Sequence, residues 1–333
     1  MKKVIIIGGG VAGMQAAATL RELGIDSLIL EKEETLGGKL VLWDRLFPVQ
    51  TPASDVLGRL EAGCEGVPFR LGTEVVSLKR TGGRIEIDIK DGDPVYGDAV
   101  LVSTGFDIFD AALKEEYGYG LYPNVITSVD LEQMSKQGRI VTAGGDAPHR
   151  VAFLHCVGSR DEKVRQMHCS RVCCVTGVKQ AIEIKEAVPD CEIFNFYMDM
   201  RMFGGGYEEL YKEAQIKYGI NFIRGRISEA GETIDGRIQL KAEDTLAGRP
   251  LRMTVDLFVL LVGFVAPKCY ATLGLPLKDS GFLQTLDPFT GNLDSAVKGV
   301  FLAGTSTTPK NIGETINEAR SVAMKIRNYL NQS

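Results

Sequence analysis

The chain has 333 residues, of which 44% are hydrophobic and 24% charged, with a net charge of −5 and a pI near 5.5. This composition fits two globular domains and excludes nucleic acid as the main partner, because there is no cationic excess to neutralise phosphates. The longest apolar runs, such as 257–265, are too short to span a bilayer, and residues 1–7 enter a strand pattern without a cleavable leader. We therefore expect a cytoplasmic protein with no transmembrane segment.

A glycine-rich loop follows the first β-branched run of the chain. Gly8 permits a tight turn, Gly10 lets the backbone approach a pyrophosphate, and Gly13 allows the following helix to pack closely. A second strand pattern ends at Glu31, where an acidic side chain can bind ribose hydroxyls. Together these features predict a dinucleotide site at the start of the chain.

Segments further along favour FAD over NAD in this site. Residues 36–39 read Leu-Gly-Gly-Lys, and 98–105 end a strand pattern in Ser-Thr-Gly, as in flavoproteins with two dinucleotide domains. In that class the C-terminal strand usually ends in Gly-Asp, whereas here Thr305 takes the place of the acid. A last helix should point its positive N-terminus at the flavin. The predicted FAD contacts are Gly8, Gly10, Ala12, Gly13, Glu31, Lys32, Gly38, Lys39, Val75, Thr104, Gly105, Gly304, Thr305, Lys310, Asn311 and Ile312.

The strand pattern of the first half recurs in the second half. The matching strand patterns lie at 151–154, 193–197, 220–223 and 256–264. The repeat predicts an α/β fold of the thioredoxin reductase-like, two-dinucleotide-domain type. We expect residues 1–139 and 266–333 to form a discontinuous FAD domain around an inserted domain at 140–265.

Four cysteines occupy the place of the second nucleotide loop. Cys156 stands where the first fingerprint glycine belongs, and no Gly-x-Gly-x-x-Gly follows, so we expect NAD(P)H binding there to be lost. Twelve residues separate Cys156 from Cys169, and three more precede Cys173 and Cys174. Thiolates are soft ligands, and this spacing favours a [4Fe-4S] cluster. Zinc, thiol redox chemistry and purely structural cysteines remain alternatives.

These residues resemble the family of heterodisulfide reductase A subunits. The resemblance covers essentially the whole chain and lies in the segments 156–161, 169–174, 197–201, 204–211 and 301–305 with Pro309-Lys310. It implies an electron-transferring homodimer with FAD and a [4Fe-4S] cluster bound by Cys156, Cys169, Cys173 and Cys174. It also implies that Lys179, which matches a family lysine near the flavin, tunes that flavin.

The chain departs from the methanogen members of that family. It shows none of their added ferredoxin-like modules, and the segment 47–54, which begins Phe-Pro, contains none of the further cysteines that family members often carry there. It therefore resembles most the compact member found in heterodisulfide reductase-like complexes of sulfur-oxidising bacteria. That likeness implies non-bifurcating electron transfer with B-like and C-like subunits, and with a lipoate-binding protein reached through the complex. Alternatives are the A subunit of a quinone-interacting complex of sulfate reducers, a free-standing NAD(P)H-dependent disulfide reductase, and a zinc-stabilised flavoprotein scaffold without redox turnover.

Overall fold

The computed structural model describes residues 2–332, which form two compact units. The first unit comprises Met1–Val41, Ser54–Asp107 and Val265–Ser333, and the second comprises Leu42–Ala53 and Ile108–Phe264. The stretches 42–53 and 108–139 thus belong to the second compact unit. Which stretch of chain serves which cofactor stays a prediction.

Strands alternate with helices through most of the chain. In chain order the elements are β1 Lys3–Ile7, α1 Val11–Glu22, β2 Asp26–Leu30, β3 Arg45–Leu46, β4 Thr51–Pro52, α2 Ala53–Gly63, β5 Phe69–Arg70, β6 Val75–Thr81, β7 Arg84–Ile89, β8 Val95–Gly97, β9 Ala99–Val102, β10 Asp107–Ile108, β11 Val125–Thr127, α3 Ser128–Lys136, β12 Arg150–Val157, α4 Cys173–Ala187, β13 Glu192–Tyr197, α5 Tyr207–Ile216, β14 Asn221–Arg224, β15 Ile227–Glu232, β16 Ile238–Asp244, β17 Arg249–Val255, β18 Leu257–Val262, β19 Phe264–Val265, β20 Val300–Leu302 and α6 Ile312–Gln332. No described helix is long and apolar enough to cross a membrane.

The first unit is built on a five-stranded parallel sheet. Its strand order is β20-β9-β1-β2-β5, with β1 in the centre, paired to β2 and β9. The β-branched residues Val4 to Ile7 are almost fully buried, as expected for a strand covered on both faces. A separate antiparallel sheet has the order β6-β7-β8.

The second unit repeats this plan. Its five parallel strands have the order β11-β18-β12-β13-β14, so β12 takes the central place of β1, and β13 that of β2. A second antiparallel sheet, β15-β16-β17, corresponds to β6-β7-β8. The predicted internal repeat is therefore confirmed for its four strands, now β12, β13, β14 and β18. The edge strands differ, because β11 precedes the others in the chain whereas β20 follows them.

Candidate functional site

The glycine loop after β1 leaves the start of α1 open for a phosphate. Gly8 has a φ of +101°, and a Cβ on Gly13 would lie only 1.9 Å from the Gly8 carbonyl oxygen. Gly10 precedes the helix without a side-chain cap, and the first turn of α1 contains no acidic residue. The N–H groups of this turn are thus available to an anion, as the pyrophosphate of a dinucleotide requires.

Glu31 fixes the shape of that loop at the end of β2. Its buried carboxylate accepts hydrogen bonds from the backbone N–H of Gly9 (2.5 Å) and of Glu33 (2.9 Å). Lys32 next to it is exposed, and Lys39 is half-buried. Val75 is buried at the first position of β6. These residues all lie in the first unit, as expected for contacts to one ligand.

A tyrosine that the sequence did not indicate as a site residue binds the segment that follows β9. Tyr270 is almost fully buried, and its hydroxyl donates to the Gly105 carbonyl at 2.6 Å. Thr104 donates to the same hydroxyl at 3.2 Å. A Cβ on Gly105 would lie 3.8 Å from the Thr305 Oγ1, so these two predicted contacts are neighbours.

The turn before α6 comes very close to α1. A Cβ on Gly304 would lie 2.8 Å from the Cβ of Ala12, and the Gly304 N–H donates to Glu318 at 2.6 Å. The Lys310 ammonium donates to the Gly304 carbonyl (2.8 Å) and pairs with Glu318 (3.0 Å). Burial lowers the pKa of Lys310, against the opposing effect of Glu318.

Asn311 caps the helix α6. Its side-chain oxygen accepts from the Glu314 N–H (2.8 Å), while the Glu314 carboxylate accepts from the Asn311 N–H (3.0 Å). This reciprocal pair fixes the start of the helix at Ile312. The glycine loop, the open end of α1 and the close turn at Gly304 fit a bound FAD.

The cysteine loop between β12 and α4 has an unusual backbone. Six non-glycine residues in the described chain have a positive φ, and four of them are Cys156, Arg160, Arg165 and Arg171. Such conformations cost free energy in residues with a Cβ, and they concentrate at functional sites. The strain therefore marks the loop from Cys156 to Arg171 as a candidate site.

Three of the four thiols contact one another. Cys173 hydrogen-bonds to Cys156 and to Cys174, and Cys174 also bonds to His155. The contact with Cys173, supported by His155, lowers the pKa of the Cys174 thiol to about 4. The contact with Cys173 likewise lowers the pKa of Cys156, whereas the pKa of Cys173 is raised. At least one of these buried thiols is thus poised to be a thiolate, the form that binds metals.

Cys169 is the least enclosed member of the set. It is half-buried, whereas Cys156, Cys173 and Cys174 are buried, and its sulfur accepts from the Arg171 N–H at 3.3 Å. Within residues 2–332, no three His, Cys, Asp or Glu side chains are arranged as a metal site. Four thiols in one segment are nevertheless donors of the kind and number that an iron–sulfur cluster or zinc requires, while their metal-binding role stays a prediction.

The loop that would bind a second dinucleotide is filled by protein. The ring of buried Phe109 lies against Gly158, only 1.9–2.4 Å from where a Cβ would stand. The helix α4 does not follow β12 directly but begins at Cys173, after residues 158–172. A packing glycine remains on this helix, since a Cβ on Gly177 would lie 2.6 Å from Leu261. The repeat has therefore kept its close helix–sheet contact but not an open phosphate loop.

Two carboxylates fasten the cysteine loop to the rest of the unit. Asp161 is buried and accepts from Lys114 (2.7 Å) and Arg226 (2.8 Å). Asp199 follows β13, the position that Glu31 holds after β2, and it accepts from Arg160 at 2.6 Å. Asp199 therefore binds the cysteine loop through Arg160.

Lys179 lies in a buried ionic cluster of the second unit. Its ammonium contacts Glu132 (2.6 Å), Glu183 (3.1 Å) and the Arg45 carbonyl (3.1 Å). Glu132 also accepts from Gln180 at 2.6 Å. Lys179 is thus held by protein partners, and its predicted effect on the flavin stays a prediction.

The remaining three cysteines are isolated. Cys64 and Cys191 are buried, Cys269 is half-buried, and none is paired in a disulfide. Burial raises the pKa of Cys64 to about 11 and that of Cys191 to about 12. Cys64 and Cys191 are therefore inert fillers of the core.

The architecture and the glycine loop define a flavoprotein oxidoreductase with two dinucleotide-type domains. Thioredoxin reductase from T. acidophilum superposes with a TM-score of 0.71 over 100% of this chain and 99% of its own, at 20% identity. The enzyme from Lactococcus lactis gives a TM-score of 0.70 over 100% of both chains, at 17% identity. These similarities confirm the predicted fold class.

The chain belongs to the pyridine nucleotide-disulphide oxidoreductase family, whose model matches residues 2–323. The family match supports FAD as the cofactor and an oxidoreductase as the function. The match runs through both units, although the second unit has Phe109 packed on Gly158 where a phosphate loop would be open.

Curated relatives confirm the resemblance to the A subunits of heterodisulfide reductases. The A subunit of the H(2):CoB-CoM heterodisulfide,ferredoxin reductase of Methanothermobacter thermautotrophicus is 32% identical over 97% of this chain and 63% of its own length. The iron-sulfur A subunit of the CoB--CoM heterodisulfide reductase of Methanocaldococcus jannaschii is 32% identical, over 98% and 64%. The A subunit of the H(2)/formate:CoB-CoM heterodisulfide,ferredoxin reductase of Methanococcus maripaludis is 39% identical, over 98% and 64%. The chain thus spans under two thirds of these relatives.

Proposed function

We propose that the chain is the FAD- and [4Fe-4S]-containing electron-transfer subunit of a cytoplasmic heterodisulfide reductase-like complex. The observation that carries the proposal is the replaced nucleotide loop, in which Phe109 covers Gly158 and four cysteines lie from the end of β12 to the start of α4. The relative from Methanocaldococcus jannaschii is named as an iron–sulfur subunit, in agreement with a thiolate-bound cluster.

The residues of the chain have separate roles in this proposal. When bound, FAD supplies two-electron chemistry and the cluster supplies one-electron chemistry. The open turn of α1 and the loop at Glu31 hold the dinucleotide, and the start of α6 places a positive helix end for a reduced flavin. Cys156, Cys169, Cys173 and Cys174 hold the cluster, while Asp161 and Asp199 fix their loop.

We further propose that the complex serves sulfur oxidation and does not bifurcate electrons. It would contain B-like and C-like subunits and a lipoate-binding protein, with this chain present as a homodimer. Bifurcation needs two separate one-electron routes out of the flavin. Outside the four-cysteine loop, the 333 residues contain only Cys64, Cys191 and Cys269, which cannot supply a second four-thiolate site.

Purification of the complex from its own cells tests the partners, since quinone-linked subunits would contradict sulfur oxidation.

The cluster is tested by metal analysis of anaerobically purified protein. We expect about four iron and four sulfide per chain and an EPR signal on reduction, which zinc without iron would contradict. Cys173→Ser should lose iron because it removes a cluster ligand. The matched control is Cys191→Ala, which alters a buried but isolated thiol and should retain the iron.

A further inference from the structure

The surface around Cys169 combines exposed apolar side chains with clustered cations. Met167 is 68% exposed and Phe203 is 64% exposed, and both are large side chains that are normally covered. The Arg171 guanidinium lies over the Phe203 ring, 5.3 Å from its centroid. Arg171 follows Cys169 by two residues, so the apolar surface adjoins the half-buried thiol.

The same surface carries an excess of positive charge. Arg160 and Arg201 share a single carboxylate, Asp199, at 2.6 and 3.3 Å. Asp161 does not reduce the excess, because it is buried and bound by Lys114 and Arg226. Five cations thus stand against three carboxylates, Asp199, Glu162 and Glu116, the last of which pairs with Lys163 at 3.8 Å. The cations are Arg160, Lys163, Arg165, Arg171 and Arg201.

We propose that this surface, defined by Met167, Phe203 and the five cations, is the docking site of a small acidic electron-transfer protein. An apolar centre with a charged rim is the usual anatomy of a protein interface, and Arg and aromatic residues dominate the binding energy of such sites. The chain as a whole carries a net charge of −5, so an acidic partner is repelled elsewhere and directed to this patch. Cys169 brings the proposed cluster close to the partner, and electron tunnelling falls steeply with distance.

The docking site rests on the proposed function. It is tested by stopped-flow mixing of the protein with a reduced plant-type ferredoxin, which serves as the acidic probe. The second-order rate of electron transfer to the complete protein should fall as salt is added. Arg165→Glu should lower the low-salt rate by about threefold to tenfold, because rim charges act mainly on association. Phe203→Ala should also lower the rate, by removing the apolar anchor.

Arg237→Glu is the matched control, since it makes the same charge change on the exposed hairpin of β15 and β16. It should leave the rate within about twofold of the wild type. The docking site is refuted if Arg165→Glu is no slower than Arg237→Glu, or if the variants alter the oligomeric state by light scattering and not the rate. Protein that lacks iron refutes the proposed function instead, so iron content and the EPR signal are measured on every sample.

Discussion

At the scale of single residues, the buried cluster around Lys179 contains one cation and two carboxylates. The Glu132 carboxylate accepts hydrogen bonds from Lys179, from Gln180 and from the Asp44 N–H, the last at 2.8 Å. The Glu183 carboxylate pairs with the Lys179 ammonium at 3.1 Å. Burial, reinforced by Glu132, raises the pKa of Glu183 to about 7, although Lys179 opposes the shift. The excess negative charge of the cluster is therefore relieved by a proton on Glu183.

This proton makes stability depend on pH. As pH rises from 4.5, the unfolded chain releases the Glu183 proton first, so unfolding becomes easier until the folded carboxyl ionises near pH 7. Relative to Glu183→Gln, the wild type should lose up to about 3 kcal/mol of unfolding free energy over this range and then level off. Urea unfolding at a series of pH values measures the difference.

The control for this titration is Glu186→Gln on the same helix. Glu186 is 40% exposed and pairs with Arg45 at 3.0 Å. Its curve should stay parallel to that of the wild type from pH 4.5 to pH 7. If Glu183→Gln also stays parallel, the carboxyl is already ionised in the folded state and the protonated cluster is wrong.

At the scale of elements, α4 is the point where the two halves of the repeat diverge. Like α1, it packs on a central parallel strand through a glycine, since a Cβ on Gly177 would meet Leu261 and His155. Unlike α1, it begins with two cysteines instead of an open phosphate-binding turn. The close contact of α4 therefore fixes the position of Cys173 and Cys174 relative to β12.

Adding one methyl group to Gly177 should push this helix outward. A Cβ there would lie 2.6 Å from Leu261 and 3.0 Å from the His155 ring, so Gly177→Ala should cost about 1–3 kcal/mol by overpacking. Gly58→Ala in α2 is the control, because that helical glycine is exposed and has no atom within 4 Å of the added methyl. The control should gain about 0.5–1 kcal/mol, and a similar gain in Gly177→Ala would contradict the packing.

The strands of both sheets were predictable because buried parallel strands give continuous apolar runs. The predicted segments 151–154, 193–197 and 220–223 overlap β12, β13 and β14, in the expected order. The contacts that complete the sites were not predictable, because they join residues far apart in sequence. Tyr270 and Gly105 are 165 positions apart, and Lys179 and Glu132 are 47 apart.

At the scale of the whole molecule, one fold carries two different kinds of site. The first unit keeps the glycine loop, the uncapped helix and the acid at Glu31. The second unit keeps the strand order but puts Phe109 on Gly158, Cys173 at the helix start and Asp199 on Arg160. Neither Gly158 nor Asp199 is thus left open in the second unit, which is why we expect it to bind nicotinamide dinucleotides poorly.

We therefore expect a flavoprotein that does not take electrons from NAD(P)H. In anaerobic spectra, dithionite should bleach the flavin, whereas NADPH or NADH should leave its absorbance unchanged over the same time. The reason is steric and electrostatic, since Phe109 is buried against Gly158 and Asp199 is neutralised by Arg160 and Arg201. Rapid bleaching of this protein by NADPH would mean that the second unit still binds the nucleotide, and that its cysteine loop has been added to that site without replacing it.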